Sequence, residues 1–351
     1  MKYKLLSVNK VPFIETRNIG DYIQALAASQ YYPQIDGFID REELDEYEGE
    51  EAKVIMNGWY MHSPEHWPPT DRIRPLLVSF HICSAVKDFF IAERSLAWLK
   101  KHEPVGCRDK FTEELLGNCG IRTWFSACLT LTLGMKYHSD EKDDKTYIVD
   151  PIIPKERGVK DIRQLLYSIF HIYDICRLLK TTDLFIEEDR PGRLNRKYRR
   201  YINMSLYHRL YSKIVSRKVL MGSEYISQSN AYYNHGFTSD FGRLKEAERL
   251  VRLYSRAKLV ITSRIHCALP CTGLETPVIF LKMANDIPES ACRMGGILDF
   301  LNVVEISKKG GAKPLFSLKG KLSAENHPEN KTGWKPFAED LKKRCCEFMK
   351  D

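Results

Sequence analysis

The sequence predicts an α/β protein built on parallel sheets, and three observations carry the prediction. Short runs of branched apolar residues alternate with helix-patterned segments through most of the 351 residues. Several of these runs stop abruptly at a hydroxyl, an asparagine or a glycine that opens the next segment, as strand–turn–helix units do. A composition of 43% hydrophobic and 28% charged residues belongs to an ordinary globular chain, and its length suffices for two domains with a core each.

The elements follow in order. Lys4–Val8 reads as a first strand, and a loop leads to Asn18-Ile19-Gly20-Asp21. The helix opened there carries Ile23, Leu26, Ala27 and Tyr31 on one face. Val54–Met56 is a strand ending in Asn57-Gly58, and Leu76–Phe80 is another. A helical segment from about Ala85 to Lys101 precedes the strand before Arg108-Asp109. A helix from Phe111 to Leu116 stops at Gly117, and Arg122–Phe125 is extended. The acidic, lysine-rich stretch Ser139–Lys145 reads as a solvated linker between domains. Beyond it, Tyr147–Val149 runs into Asp150-Pro151, and helical patterns occupy 159–180 and 195–216. Lys218–Met221 is expected to be a strand. Gly242–Arg256 is a helix burying Leu244, Ala247, Leu250, Val251 and Tyr254. Leu259–Ile261 is a strand, Pro277–Leu281 a final one, and the tail from Trp334 an amphipathic helix. The expected division is a lobe over 1–138, a second over 146–320, and a tail with a short helix over 321–351, with a cleft between the lobes.

The ten cysteines are scattered without a Cys-x-x-Cys pair, and Cys267 and Cys271 sit on an apolar helix as core residues. No signal peptide or membrane-spanning run is visible, so a reducing, cytoplasmic setting is expected. The formal charge of +8 favours anionic partners without a nucleic-acid motif, and no nucleic acid is expected. The most basic segment, Arg190 to Arg200, reads as a solvated face, or as a peripheral contact with anionic membrane or a lipid-phosphate carrier.

The densest chemical signal is Leu259 to Leu269. A buried strand ends at Thr262-Ser263, and Arg264 and His266 fall in the first turn of the next helix. Thr262 or Ser263 can cap that helix. A helix start attracts anions, and the arginine fork matches carboxylate or phosphate. The plainer alternative is that both residues pair with local acids. Asn18-Ile19-Gly20-Asp21 also opens a helix. Gly20 permits close approach, and Asp21 either orients a hydroxyl, takes its proton, or merely suits the first turn. Asn57-Gly58 borders the same cleft or is a plain turn. Arg108-Asp109 reads as a structural pair, and Ser126, Cys128, Thr130 and Thr132 as a small polar face. His81 ends a strand and is placed to reach the cleft. His62 and His66 have ligand-like spacing broken by Pro64, and no metal site is expected.

Taken together, these motifs resemble the polysaccharide pyruvyl transferase family over roughly residues 15–305. The resemblance rests on Asn18–Asp21, Val105–Asp109, Gly120-Ile121 with Phe125–Thr132, Asp150-Pro151, Thr262–Leu269 before Thr276–Ile279, and Arg293–Phe300. The sequence departs from the family's glycine-rich loop after the second strand, having only Asn57-Gly58-Trp59. The resemblance implies two Rossmann-like lobes facing a cleft, glycosyltransferase-B-like, with the acceptor on the N-terminal side and the donor on the C-terminal side. It implies transfer of the pyruvyl group of phosphoenolpyruvate onto two hydroxyls of a sugar, in a cell-surface polysaccharide or its lipid-linked precursor, as a cyclic ketal. Arg264 and His266 match the donor-binding arginine and histidine, and no cofactor is required. On that basis His266 is the candidate acid or phosphate-side donor, its pKa lying near working pH. Asp21 is the candidate base. Thr262, Ser263, Gly20, Asn18, Asn57 and Gly58 complete the expected substrate contacts. Two alternatives are a glycosyltransferase with a nucleotide-sugar donor and a non-catalytic binder of anionic glycan or carrier lipid.

Overall fold

A computed structural model describes residues 1–9, 17–152, 162–182, 196–230, 239–285 and 291–350. It is an α/β fold with parallel sheets. In the N-terminal half, Lys2–Tyr3, Ala52–Ile55 and Ile73–Leu76 form one sheet, and Leu5–Ser7 pairs with Phe38–Asp40. Gly58–Tyr60, Phe80–Ile82, Val105–Cys107 and Thr123–Phe125 lie side by side in that order. Met56 N–H to the Leu76 carbonyl extends the first of these sheets, and Gly106 N–H to the Leu77 carbonyl links it to the second, both at 2.9 Å. The expected strand Leu76–Phe80 is therefore two strands. They part at Ser79, where φ is 53° and the amide turns to Ser126 Oγ at 3.0 Å.

The C-terminal sheet runs Glu224–Ile226, Thr146–Val149, Leu259–Thr262, Val278–Met283, Asn302–Ile306, Ala312–Pro314, parallel except for the last pair. Thr146–Val149 and Leu259–Thr262 are buried throughout, which explains their unbroken apolar character. Two expectations fail here. Lys218–Met221 lies in a helix, Arg217–Gly222, because the Ser216 hydroxyl accepts from Val219 N–H and caps it; the strand comes afterwards. And Pro277–Leu281 is not the last strand.

Of three apolar clusters among the described residues, one lies within the N-terminal half, one on the C-terminal sheet, and one joins the two halves. Helix Ile19–Ser29, which comes early in the chain, packs along Asp240–Arg256 from its second half, joining Tyr22, Ile23 and Leu26 to Leu244, Leu250 and Tyr254. Ile265–Gly273 packs on Leu129–Leu133 so closely that a Cβ at Gly273 would stand 2.2 Å from the Leu131 carbonyl oxygen. Only glycine fits there. The stretch read as a solvated linker is pinned to the end of Asp240–Arg256: Arg256 binds Asp143 at 3.0 Å, and Lys142 Nζ donates to the Ser255 carbonyl at 2.6 Å. The tail helix Lys335–Lys350 returns to the N-terminal sheets, where Lys53 Nζ donates to the Phe348 carbonyl and Arg344 covers Trp124. Among the described residues, no helix is long and apolar enough to cross a membrane.

Candidate functional site

Parallel strands deliver side chains at their carboxyl ends, because each strand there hands over to a loop that a sheet cannot cover. Here strands of both halves do so. Phe38–Asp40 is followed by Arg41, Ala52–Ile55 by Asn57, and Val105–Cys107 by Arg108. Thr146–Val149 is followed by Asp150 and Leu259–Thr262 by Ser263-Arg264.

The Arg264 turn is locked from within. Thr262 Oγ1 accepts from Arg264 N–H at 2.9 Å, and Ser263 Oγ donates to the Asp150 carbonyl. The two hydroxyls thus hold the turn and do not cap the helix, as the sequence suggested they would. Arg264 itself is the N-cap residue of Ile265–Gly273, and no side chain closes that helix start. Asp150, in the left-handed region at φ 42°, accepts from Arg264 Nε at 2.7 Å and from Gln228 N–H at 2.9 Å. Arg264 remains 38% exposed, so part of its fork is open to a ligand. Pro270 lacks the N–H that would bond the His266 carbonyl, and Gln228 Nε2 lies 3.5 Å from that oxygen instead.

His266 is buried, and its Nε2 has no hydrogen-bond partner. Burial, then the positive charges of Arg108, Arg293, Arg41 and Arg264, push its pKa well below the ordinary histidine value. This corrects the expectation of a pKa near working pH: the free protein holds His266 neutral. Four arginines from both halves of the chain therefore act on one imidazole. Arg41 is held by Glu42 at 3.0 Å and Asp21 at 3.6 Å, and Arg264 by Asp150. Arg108 is different. It is 3% exposed, and its side chain makes no hydrogen bond or ion pair among the described residues.

The Arg108–Asp109 pair read from the sequence does not form. Asp109 instead caps Lys110–Asn118 by accepting from Thr112 N–H at 3.0 Å, and binds His81 Nδ1 at 2.5 Å. His81 is fully buried, its Nε2 also lacks a partner, and burial with Arg108 lowers its pKa to about 4. Arg108 thus bears on two neutral imidazoles, and a buried cation without an anionic partner is costly.

On the other side of the site, Asn18 caps Ile19–Ser29 by accepting from Gly20 N–H at 3.1 Å. Gly20 lies against His266. Asp21 takes Gln24 Nε2 at 3.2 Å beside Arg41, and Asn57 Nδ2 donates to the Gln24 carbonyl at 2.9 Å. A Cβ at Gly58 would stand 3.9 Å from Arg41 Nη1, and Trp59 lies under the Arg41 guanidinium at 5.4 Å. Asn18, Gly20, Asp21, Asn57 and Gly58 thus belong to one neighbourhood that meets the Arg264–His266 turn through Gly20. Arg41 escaped sequence reasoning because it sits in an acidic run after a three-residue strand. Arg293 was visible only as part of a motif.

Other candidates are accounted for elsewhere. Ser126 Oγ donates to the Cys107 carbonyl, and Thr130 and Thr132 bond within their own segment. His66 binds Asp45 at 2.8 Å, whereas the His62 ring lies tilted against Trp59 with centroids 4.4 Å apart, so the two are engaged by different neighbours. Of the basic segment, residues 190–195 lie outside the described residues. Arg200 donates to the carbonyls of Leu179 and Thr182 and is engaged inside the fold.

A family model described as polysaccharide pyruvyl transferase matches residues 18–285. The span contains Asn18–Asp21, Arg41, Arg108 and Arg264–His266. No curated protein and no solved structure matches the chain.

Proposed function

The chain belongs to the polysaccharide pyruvyl transferase family, and from that membership we propose that it transfers the pyruvyl group of phosphoenolpyruvate onto two hydroxyls of one sugar as a cyclic ketal. It is a transferase acting on a polysaccharide acceptor. The observation that supports the donor assignment is Arg108, which is 3% exposed, makes no side-chain hydrogen bond or ion pair among the described residues, and acts by its charge on the neutral His266. A small trianion supplies the missing charge, with Arg264 as a second, partly open fork. Delivery of Arg41, Arg108 and Arg264 from strand ends of both halves supports reading the sheets as two Rossmann-like lobes facing a cleft, glycosyltransferase-B-like.

In this reading the donor changes the site it enters. Its negative charge offsets the arginines and restores proton affinity to His266. The imidazolium then serves the methylene carbon or the departing phosphate. Asp21, at the acceptor edge, orients or deprotonates a sugar hydroxyl. Two hydroxyl protons are released in all; one converts the methylene to a methyl group and the other leaves with phosphate. We assign the chemistry to side chains without a metal or redox cofactor, so chelator should leave turnover unchanged. We read the acceptor as a lipid-linked unit met at the inner face of a membrane.

The test is thermal unfolding with phosphoenolpyruvate and with a panel of nucleotide sugars, on wild type and on Arg108→Ala and Arg264→Ala. A ligand at about 100 times its Kd adds roughly 2.7 kcal/mol. The expected result is a shift with phosphoenolpyruvate that both substitutions remove. A shift with nucleotide sugars alone would overturn the donor assignment in favour of glycosyl transfer.

A further inference from the structure

Between two neighbouring strands of the C-terminal sheet, Thr146–Val149 and Glu224–Ile226, the chain inserts a group of helices that includes Ile162–Phe170, Ile172–Thr181 and Arg196–Tyr211. Side chains of this group meet in a cluster that the Arg264–His266 site does not use. His171 is the joint between the first two helices and the N-cap residue of the second. Asp174 follows on the same face of that helix. His208 arrives from Arg196–Tyr211 and is 3% exposed. One ligand atom from each of these three residues lies within 4.8 Å of the other two.

The surrounding hydrogen bonds prepare these atoms as ligands. His208 Nδ1 meets the Tyr167 hydroxyl at 2.9 Å, and that hydroxyl meets Ser212 Oγ at 3.1 Å. Ser212 in turn donates to the Arg209 carbonyl at 3.5 Å. The series ends on a pure acceptor, so each member donates along it and His208 Nε2 keeps its lone pair. That nitrogen faces Asp174 Oδ2 at 3.6 Å, too far for a hydrogen bond. Arg217, 64% exposed, orients the same carboxylate through bonds of 2.6 and 3.0 Å. His171 lies against Tyr167 with ring centroids 4.2 Å apart, and its ring nitrogens have no hydrogen-bond partner among the described residues. An imidazole held by its far nitrogen, beside a carboxylate that is itself hydrogen-bonded, is the outer-shell arrangement of metal sites. Packing alone requires neither.

The donor set selects the ion. Two imidazoles and one carboxylate suit zinc, which bonds each at about 2.0–2.2 Å and takes water as a fourth ligand. Calcium and magnesium need shells of oxygen that the cluster lacks. We infer that His171, Asp174 and His208 bind a zinc ion that ties the joint of the first two helices to Arg196–Tyr211. Its role is structural. The site shares no residue with Asn18–Asp21, Arg41, Arg108 or Arg264–His266, and the inference stands whichever donor the enzyme uses.

The test takes the full chain, stripped by chelator, and titrates it with zinc and separately with cobalt, whose visible spectrum reports its ligands. Wild type is expected to bind zinc and to gain a few degrees in unfolding midpoint. The cobalt spectrum should be that of nitrogen and oxygen ligands, without a thiolate charge-transfer band. His171→Ala should lower zinc affinity about a hundredfold. Tyr167→Phe, which loses only the hydroxyl, should lower it about tenfold and decides the matter if His171→Ala does not fold. His66→Ala, in the separate cluster of Asp45, Glu46 and His66, should leave affinity unchanged. No zinc binding by wild type, or binding that His171→Ala and Tyr167→Phe both retain, overturns the proposal. So does a loss of affinity in His66→Ala alone, or a cobalt spectrum dominated by thiolate.

Discussion

The backbone of Gly20 lies directly against the imidazole of His266. A Cβ there would stand 3.1 Å from His266 Cβ, 3.3 Å from its Nδ1 and 3.0 Å from Asn18 Oδ1. This contact joins the start of the first long helix to the start of the helix after Arg264, and sets how far Asp21 sits from the Arg264 turn.

Gly20→Ala is therefore expected to harm activity more than stability. Its crowding costs about 1–3 kcal/mol, most of it relieved by movement of His266. Turnover should fall about tenfold or more while the unfolding midpoint drops by only a few degrees. Unchanged turnover would show that the His266 position is not critical.

Arg108→Met should separate binding from folding in the opposite sense. Removing an unpaired buried cation while keeping a similar apolar stem should raise the melting temperature of the free protein by a few degrees. Phosphoenolpyruvate binding, followed by calorimetry, should weaken by about two orders of magnitude. A lower melting temperature would mean that Arg108 already has a partner in the free protein.

Donor binding should take up a proton. His266 is neutral in the free protein, because burial and the arginines around it hold its pKa down, and an incoming anion works against the second cause. Calorimetry at neutral pH in buffers of different ionisation enthalpy should report uptake approaching one proton, with affinity rising as pH falls. In His266→Asn the uptake should vanish. Equal heats in all buffers would refute the coupling.

Acid should destabilise the fold before most carboxylates titrate. His81 ionises near 6.5 when unfolded but only near about 4 when folded, so between those values the unfolded chain binds the extra proton. The sign is fixed: stability is full above about pH 6.5 and falls as pH drops towards 4. His266 adds in the same direction. Melting temperatures across this range should fall steeply for wild type and less steeply for His81→Asn, which keeps an amide donor towards Asp109.

Sequence reading succeeded where local chemistry and tertiary role coincide. Thr262–His266 and Asn18–Asp21 announce themselves because a strand end, a turn and a helix start follow one another within a few residues. Arg41 did not, since Arg41–Glu46 looks like a solvated acidic run and only burial against Asp21 and Glu42 distinguishes it. Arg108 was paired with its neighbour on paper, but Asp109 turns away to cap a helix and hold His81. Adjacency in sequence says nothing about which way two successive side chains point. The helix expected within 159–180 forms, but Ile162–Phe170 buries Gln164 and Ser168 and exposes Leu165, Leu166 and Ile169, which its period could not show because that period is helical whichever face is buried.

The packing of Ile19–Ser29 along Asp240–Arg256 bears on how such enzymes could acquire new acceptors. The first long helix of the chain divides its contacts between the halves, packing on Asp240–Arg256 and Ile265–Gly273 on one side and on Leu5–Ser7 and Leu129–Leu133 on the other. A chimera joined within the stretch 139–145 would bring together two helix faces that had never been fitted to each other, and would place a foreign Gly20 beside the resident His266. Exchange of acceptor specificity between relatives should succeed only where the face of Asp240–Arg256 that packs on residues 17–29 travels with them.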